Sequence, residues 1–258
     1  MRIVRFKYKK TLRWGILKDS FVVLLKEPPF QKIVPTGIKI PFNKIKLDVP
    51  AQPTKIVMVG LNYRDHAREL HMPLPMDPVI FLKPPTSLIA HGQKIVLPQG
   101  VHRLDYEAEL ALVIKKEAKN ISPDEAHRYI LGFTCLNDVT ARDVQKKDGQ
   151  WTRAKSFDTF CPVGPWLETT FDPSKASVTC RLNGKTRQSS NTSNLIFSVN
   201  YLVSFISRVM RLFPGDVIST GTPPGVGAMQ PGDRVEVEIE GIGVLENTIV
   251  VDKKRKRA

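Results

Sequence analysis

The stretch that most constrains this chain is Asp105-Tyr106-Glu107-Ala108-Glu109-Leu110-Ala111-Leu112-Val113-Ile114. It alternates with a period of two. As a strand it sends Tyr106, Ala108, Leu110, Leu112 and Ile114 to one face and Glu107, Glu109, Ala111 and Val113 to the other. Two carboxylates at neighbouring positions on one face of so apolar a strand repel each other, and burying both as ions is costly. Three arrangements relieve that cost: the face meets water, the pair shares a proton, or the pair binds a cation. Spacing alone leaves all three open. A third oxygen ligand and a reactive group elsewhere in the chain would favour the cation.

Both have candidates. The strand-like segment 132–138 ends in Asn137 and Asp138, which brings Asp138 to the same sheet end as the glutamates if the two strands are neighbours. Upstream, the apolar run 55–61 leads into Asn62-Tyr63-Arg64-Asp65-His66-Ala67-Arg68-Glu69-Leu70, a polar stretch without glycine that reads as a short helix. His66 and Glu69 stand three apart and share a face there, where a carboxylate raises the basicity of the imidazole and orients it, as a general base requires. Pro73, Pro75 and Pro78 close this segment as a candidate lid. A second buried strand, 79–83, ends in Lys83, which either snorkels to solvent or points into a site. The segment 140–147 reads as a polar helical turn offering Arg142 and Gln145, three apart, to an anionic ligand.

The remaining chain is mostly β in pattern. Segments 2–8, 13–17 and 21–25 read as short strands of a small basic β subdomain over 1–50, with the prolines at 41, 50 and 53 marking a linker into the main domain, 51–251. Ser122-Pro123 followed by acids predicts a helix over 123–130 capped by Ser122. Asn183-Gly184 predicts a hairpin, and 195–206 is helical in its second half. Glu236, Glu238 and Glu240 alternate with apolar residues on a half-exposed strand and read as solvated. The glycine-rich loop 221–227 lacks the Lys-Ser/Thr of a phosphate-binding loop, but its backbone and Thr222 can approach a carboxylate ligand.

Charge excludes one class. The formal net charge is +14, but residues 1–48 hold twelve basic against three acidic residues and the tail 252–258 five against one. The large middle is therefore close to neutral, which argues against a nucleic-acid enzyme; polyanion binding through the termini is a remote alternative. The tail is expected to be solvated and disordered. Three widely spaced cysteines without a C-x-x-C pair fit reduced thiols in a cytoplasmic protein, and no apolar run reaches membrane-spanning length.

Taken together, several segments resemble the successive motifs of the fumarylacetoacetate hydrolase family. They are Asn62-Tyr63 with His66 and Glu69, Phe81-Leu82-Lys83-Pro84, Asp105 to Leu110, Asn137 to Asp143, Ala154-Lys155-Ser156-Phe157-Asp158, Cys161 to Pro165, and Thr220 to Gly227. The branch most similar is that of acylpyruvate hydrolases and 2-hydroxyhepta-2,4-diene-1,7-dioate isomerases. The resemblance implies an α+β, mainly β fold: a mixed β-roll or sandwich core with a few short helices, plus the small N-terminal β subdomain. It implies Mg²⁺ or Mn²⁺ held by Glu107, Glu109 and Asp138, an all-oxygen set suited to a hard ion. It implies that His66, Glu69 and Lys155 are catalytic and that Lys83, Arg142, Gln145 and Thr222 bind substrate. The implied activity is stabilisation of a pyruvyl enolate of a 2-oxo or 2-hydroxy acid, in an isomerase or C–C hydrolase of aromatic-compound catabolism. Oxaloacetate decarboxylation or tautomerisation is the alternative, and a homodimer with no nucleic-acid or membrane partner is expected.

Overall fold

A computed structural model describes residues 1–252, and from residue 253 onward the basic tail expected over 252–258 lies outside the described residues. The fold is mainly β, with a few short helices. Strands β1 (Arg2–Tyr8), β2 (Thr11–Lys18), β3 (Phe21–Leu25) and β4 (Pro35–Pro41) form an antiparallel meander, and β5 (Lys46–Asp48) pairs back on β1. β5 falls where the prolines at 41, 50 and 53 predict a linker, and β4, the edge strand, carries Pro35 and Pro41 at its ends, where a missing donor costs no ladder bond. β6 (Ile56–Val59) is fully buried, α1 (Arg64–Glu69) follows, and β7 (Ile80–Lys83) returns antiparallel to β6. Next come β8 (Leu88–Ile89), β9 (Lys94–Leu97), β10 (Leu104–Tyr106) and β11 (Ala108–Ile114).

β11 is the centre of the molecule. It pairs antiparallel with β12 (Ile130–Asn137), Ala108 opposite Asn137, so the Glu109 and Asp138 ends of the two strands meet. The alternation read from the sequence becomes two cores. Leu110, Leu112 and Ile114 pack into one cluster with Val178, Val235 and Val237, while Ala111 and Val113 pack into another with Ile56, Met58 and Ile3. Both faces of β11 are therefore buried, and neither meets water.

The stretch 105–114 is not one strand, however. It breaks at Glu107: β10 pairs with β13 (Thr140–Ala141) in a separate three-stranded sheet, whereas β11 stays in the large one. At the break, the Glu107 backbone N–H donates to Asn137 Oδ1 at 3.0 Å, and its carbonyl accepts from the Asp138 N–H at 2.9 Å. These bonds satisfy a backbone that no ladder serves.

After α2 (Arg142–Asp148) and α3 (Thr152–Lys155), β14 (Cys161–Glu168) pairs with both β12 and β1, which joins the N-terminal meander to the large sheet. A five-stranded sheet covers the other side, built from β15 (Ser177–Leu182), β16 (Lys185–Asn191), two later strands and β9. The β15–β16 turn is Asn183-Gly184 with φ of 53° and 77°, the left-handed pair that selects Asn-Gly for a tight hairpin. α4 (Val199–Val209) begins at Ser198, whose hydroxyl accepts from the Tyr201 N–H at 3.3 Å. The helix expected over 123–130 is a 3-10 helix, Pro123–Tyr129. Ser122 bonds the Glu125 carboxylate at 3.2 Å instead of a backbone N–H, and the first turn closes from Glu125 N–H to the Ser122 carbonyl at 3.2 Å. β17 (Val217–Ser219), β18 (Gly227–Met229), β19 (Arg234–Ile239) and β20 (Gly243–Val251) complete the chain. On β19, Glu236 and Glu238 are half-buried and pair with Arg181 rather than standing free in water. No helix among the described residues is long and apolar enough to cross a membrane.

Candidate active site

The site lies where the chain crosses from one sheet to another at Glu107. Oxygens of Glu107, Glu109 and Asp138 lie within 4.8 Å of one another, and all three residues are buried. They floor a cavity of about 670 Å³ whose wall includes His66, Glu69, Arg142, Gln145, Lys155 and Thr222. Nine of the ten residues singled out by sequence thus meet in one cavity. Lys83 is placed behind it: its ammonium donates to Asp138 Oδ1 at 2.5 Å and to the Val139 carbonyl at 3.1 Å.

Each acid is held differently. Lys155, at the end of α3, donates to Glu107 Oε2 at 2.9 Å and to Asp138 Oδ2 at 2.6 Å. Arg142, at the start of α2, donates Nη2 to Glu107 Oε1. Burial alone would raise the Glu107 pKa, but the Lys155 and Arg142 charges outweigh it and hold the group well below the usual carboxylate range. Burial would likewise lower the Lys155 pKa, yet Asp138 and Glu107 keep it raised.

Glu109 has only neutral donors: the Ser219 hydroxyl and, at 3.1 Å, the Gly221 N–H. Burial first, then the charges of Asp138 and Glu107, push its pKa well above the ordinary value. Gly221 makes this contact with φ +89°, where a Cβ would stand 2.9 Å from the Gly60 carbonyl oxygen, so only glycine serves. This donor set fits a divalent cation. Three hard carboxylate oxygens converge, and one of them has no positive partner although it is buried among acids.

The base candidate stands at the cavity rim. His66 Nδ1 is 2.8 Å from Glu69 Oε2, and Glu69 Oε1 accepts from the Gly225 N–H at 3.0 Å. That second bond fixes the carboxylate from across the glycine-rich loop. Thr222 lines the cavity, but its hydroxyl donates to the Ala108 carbonyl at 3.0 Å and accepts from Gln188 Nε2 at 2.9 Å. Arg142 is similarly engaged: Nε donates to Asp105 Oδ2 at 2.8 Å and Nη1 to Gln145 Oε1 at 2.5 Å.

The sequence assigns no role to Asp105, Arg103 or Trp151, all of which line the cavity. Asp105 was visible as an acid opening the strand; nothing local marked it as buried. Trp151 packs edge-on against Phe81, with ring centroids 5.1 Å apart, and Phe81 in turn sits 5.3 Å from the Lys155 ammonium.

Comparison with known proteins places these features in context. Residues 55–250 match the family described as fumarylacetoacetate (FAA) hydrolase C-terminal, and residues 1–50 match Rv2993c-like, N-terminal. The mitochondrial oxaloacetate tautomerase Fahd2a of Rattus norvegicus is 41% identical over 82% of this chain and 71% of its own length. A crystal structure of 5-carboxymethyl-2-hydroxymuconate delta-isomerase from Mycobacterium smegmatis superposes with a TM-score of 0.93 at 42% identity, covering 98% of this chain and 100% of that one. Maleylpyruvate hydrolase from Sphingobium sp. SYK-6, solved with manganese(II) and pyruvate, superposes with a TM-score of 0.81 at 27% identity and the same coverage.

Proposed function

The chain belongs to the fumarylacetoacetate hydrolase family, and on that premise we propose that it is a divalent-metal-dependent enzyme acting on 2-oxo or 2-hydroxy acids. Its reaction is isomerisation or C–C hydrolysis of substrates of the hydroxymuconate and acylpyruvate type. The observation that carries this reading is the meeting, in one cavity, of a buried acid triad with a histidine–carboxylate pair.

Glu107, Glu109 and Asp138 hold the metal in this reading, and the manganese in the maleylpyruvate hydrolase crystal supports a divalent ion without choosing between Mg²⁺ and Mn²⁺. The ion supplies a concentrated positive charge that favours the anionic forms of a 2-oxo acid. Lys155 contributes a fixed cation beside the negative charge that develops as a proton leaves carbon. Arg142 and Gln145, locked to each other, present a rigid polar edge that orients the substrate. His66 takes or delivers the proton, and Glu69, 2.8 Å from its Nδ1, holds the imidazole in one orientation. For hydrolysis the same pair activates water.

A second reading is oxaloacetate tautomerisation, which the identity to the rat tautomerase favours and which needs the same proton transfer between carbon and oxygen. Homodimerisation is also proposed; the apolar side chains of Met72, Leu74 and Met76, all exposed, support a surface that is covered in an assembly, and sedimentation measures it.

The test is a panel of acetylpyruvate, fumarylpyruvate, enol-oxaloacetate and a hydroxymuconate diacid, run with Mg²⁺ or Mn²⁺ and again with chelator. Metal-dependent turnover that Glu107→Ala abolishes is expected. Turnover by Glu107→Ala with chelator present, or no turnover of any member, refutes the reading.

A further inference from the structure

Among the cations lining the cavity, Arg103 and Lys146 have no part in the mechanism above. Arg103 is anchored from below: its Nε donates to Asp105 Oδ1 at 2.9 Å, and Asp105 is fully buried. The other oxygen of Asp105 takes Arg142, so one carboxylate aims two guanidinium groups at the same space. The two differ in what they have left to give. Arg142 spends Nε on Asp105, Nη1 on Gln145 and Nη2 on Glu107. Lys155 spends its ammonium on Glu107 and Asp138.

Arg103 spends only Nε, and Nη1 and Nη2 have no partner among the described residues. That end-on pair is the fork that grips a carboxylate with two parallel hydrogen bonds. Its side chain is half exposed, whereas the triad that lines the same cavity is buried. Lys146 on α2 is a second exposed cation lining the cavity, also without an acidic partner among the described residues.

We propose that Arg103, seconded by Lys146, is the specificity determinant that selects substrates carrying a second carboxylate, distal to the 2-oxo-acid end. The proposal rests on the functional reading above, since the triad must engage the 2-oxo acid for the rim to meet the far end. It makes the preferred substrate a dicarboxylate and gives the preference a residue. Asp105 is then a positioning residue that holds the fork toward the cavity.

Calorimetric titration of the Mn²⁺-loaded full chain with matched unreactive ligands tests this. 2-Oxoadipate and 2-oxohexanoate share length and 2-oxo-acid end and differ in the distal carboxylate. Wild type should bind the diacid about 10- to 100-fold tighter, the range that charge-assisted hydrogen bonds supply. Arg103→Gln should weaken the diacid by that factor and the monoacid by less than about threefold, closing the gap, with Arg103→Lys between the two. Monoacid affinity doubles as the check that each variant has kept its pocket. Equal affinities in wild type, or equal weakening of both ligands in Arg103→Gln, overturn the proposal and leave the functional reading standing. Binding of Mn²⁺ but of neither ligand overturns both.

Discussion

Glu109→Gln should move the stability of this protein in opposite directions with and without metal. Without metal, Glu109 is a buried acid beside two other carboxylates, with oxygens of all three within 4.8 Å of one another. At an effective dielectric near 20 each such pair repels by roughly 3 kcal/mol. Lys155 offsets part of this, and the same repulsion, added to burial, raises the Glu109 pKa. The amide removes the residual repulsion, still accepts from Ser219 and Gly221, and turns a donor toward the acids. The gain should be about 1 kcal/mol, or about 2–4 °C in melting temperature for a chain of this size.

With metal, the sign reverses. An ion at 100 times its dissociation constant stabilises the native state by about 2.7 kcal/mol, and a variant that binds it 100-fold more weakly retains only about 0.4 kcal/mol of that. Thermal melts of both proteins, in chelator and across a Mn²⁺ titration, read all four quantities. A variant that melts several degrees below wild type in chelator, or that gains as much from Mn²⁺ as wild type, would refute the charge argument.

His66→Gln should lower turnover by about 10²- to 10⁴-fold while leaving the Mn²⁺-induced melting shift within a degree of wild type, because the imidazole is not among the triad. Asp216→Ala should cost about 3 kcal/mol or more by denaturant titration, since that fully buried carboxylate pairs with Lys55 and accepts from Thr54 and Phe213 N–H groups. His91 gives a pH test. Burial lowers its pKa, and its Nδ1 accepts the Glu246 N–H at 3.1 Å, so the folded state resists a proton that the unfolded chain takes up at the ordinary value near 6.5. Its contribution is present above pH 6.5 and is lost as pH falls toward the depressed folded value. His91→Asn, which keeps an acceptor but cannot titrate, should flatten that part of the stability–pH curve. An unchanged slope refutes the assignment.

The features legible in sequence were those carried by local periodicity or by a short motif. Alternation exposed the Glu107/Glu109 pair, Asn183-Gly184 exposed its hairpin, and the spacing of His66 and Glu69 exposed their contact. Features that depend on pairing between distant segments stayed hidden. The strand break at Glu107 arises because β10 finds partners in β13 and β18 that β11 does not share. Lys83 was readable as a lysine at a strand end, but its direction is set by Asp138, which lies 55 residues away. Likewise Arg142 read as a free cation, and only the fold shows its nitrogens spent on Asp105, Glu107 and Gln145.

The sheet crossing at Glu107 separates a rigid part of the site from an adjustable one. Around the acids, side chains replace ladder bonds: Asn137 takes the Glu107 N–H, and Gln188 takes the Ala108 N–H at 2.9 Å while donating to Thr222 and the Pro223 carbonyl. Asn137 and Gln188 are both buried, so Gln188→Ala strands a backbone N–H and two acceptors and should cost about 1–3 kcal/mol while loosening the metal as well. At the rim, α1 is six residues long, and the Glu69 side chain, 42% exposed, is tied to the glycine loop by one bond. Glu69→Gln keeps an acceptor for Gly225 but loses the charge behind His66. It should lower turnover while leaving stability within about 0.5 kcal/mol and metal affinity unchanged. Metal titration and turnover measured on the same two variants separate the parts: if Glu69→Gln weakened the metal as much as Gln188→Ala did, the triad and the rim would be one coupled unit, and the crossing would not be the boundary between them.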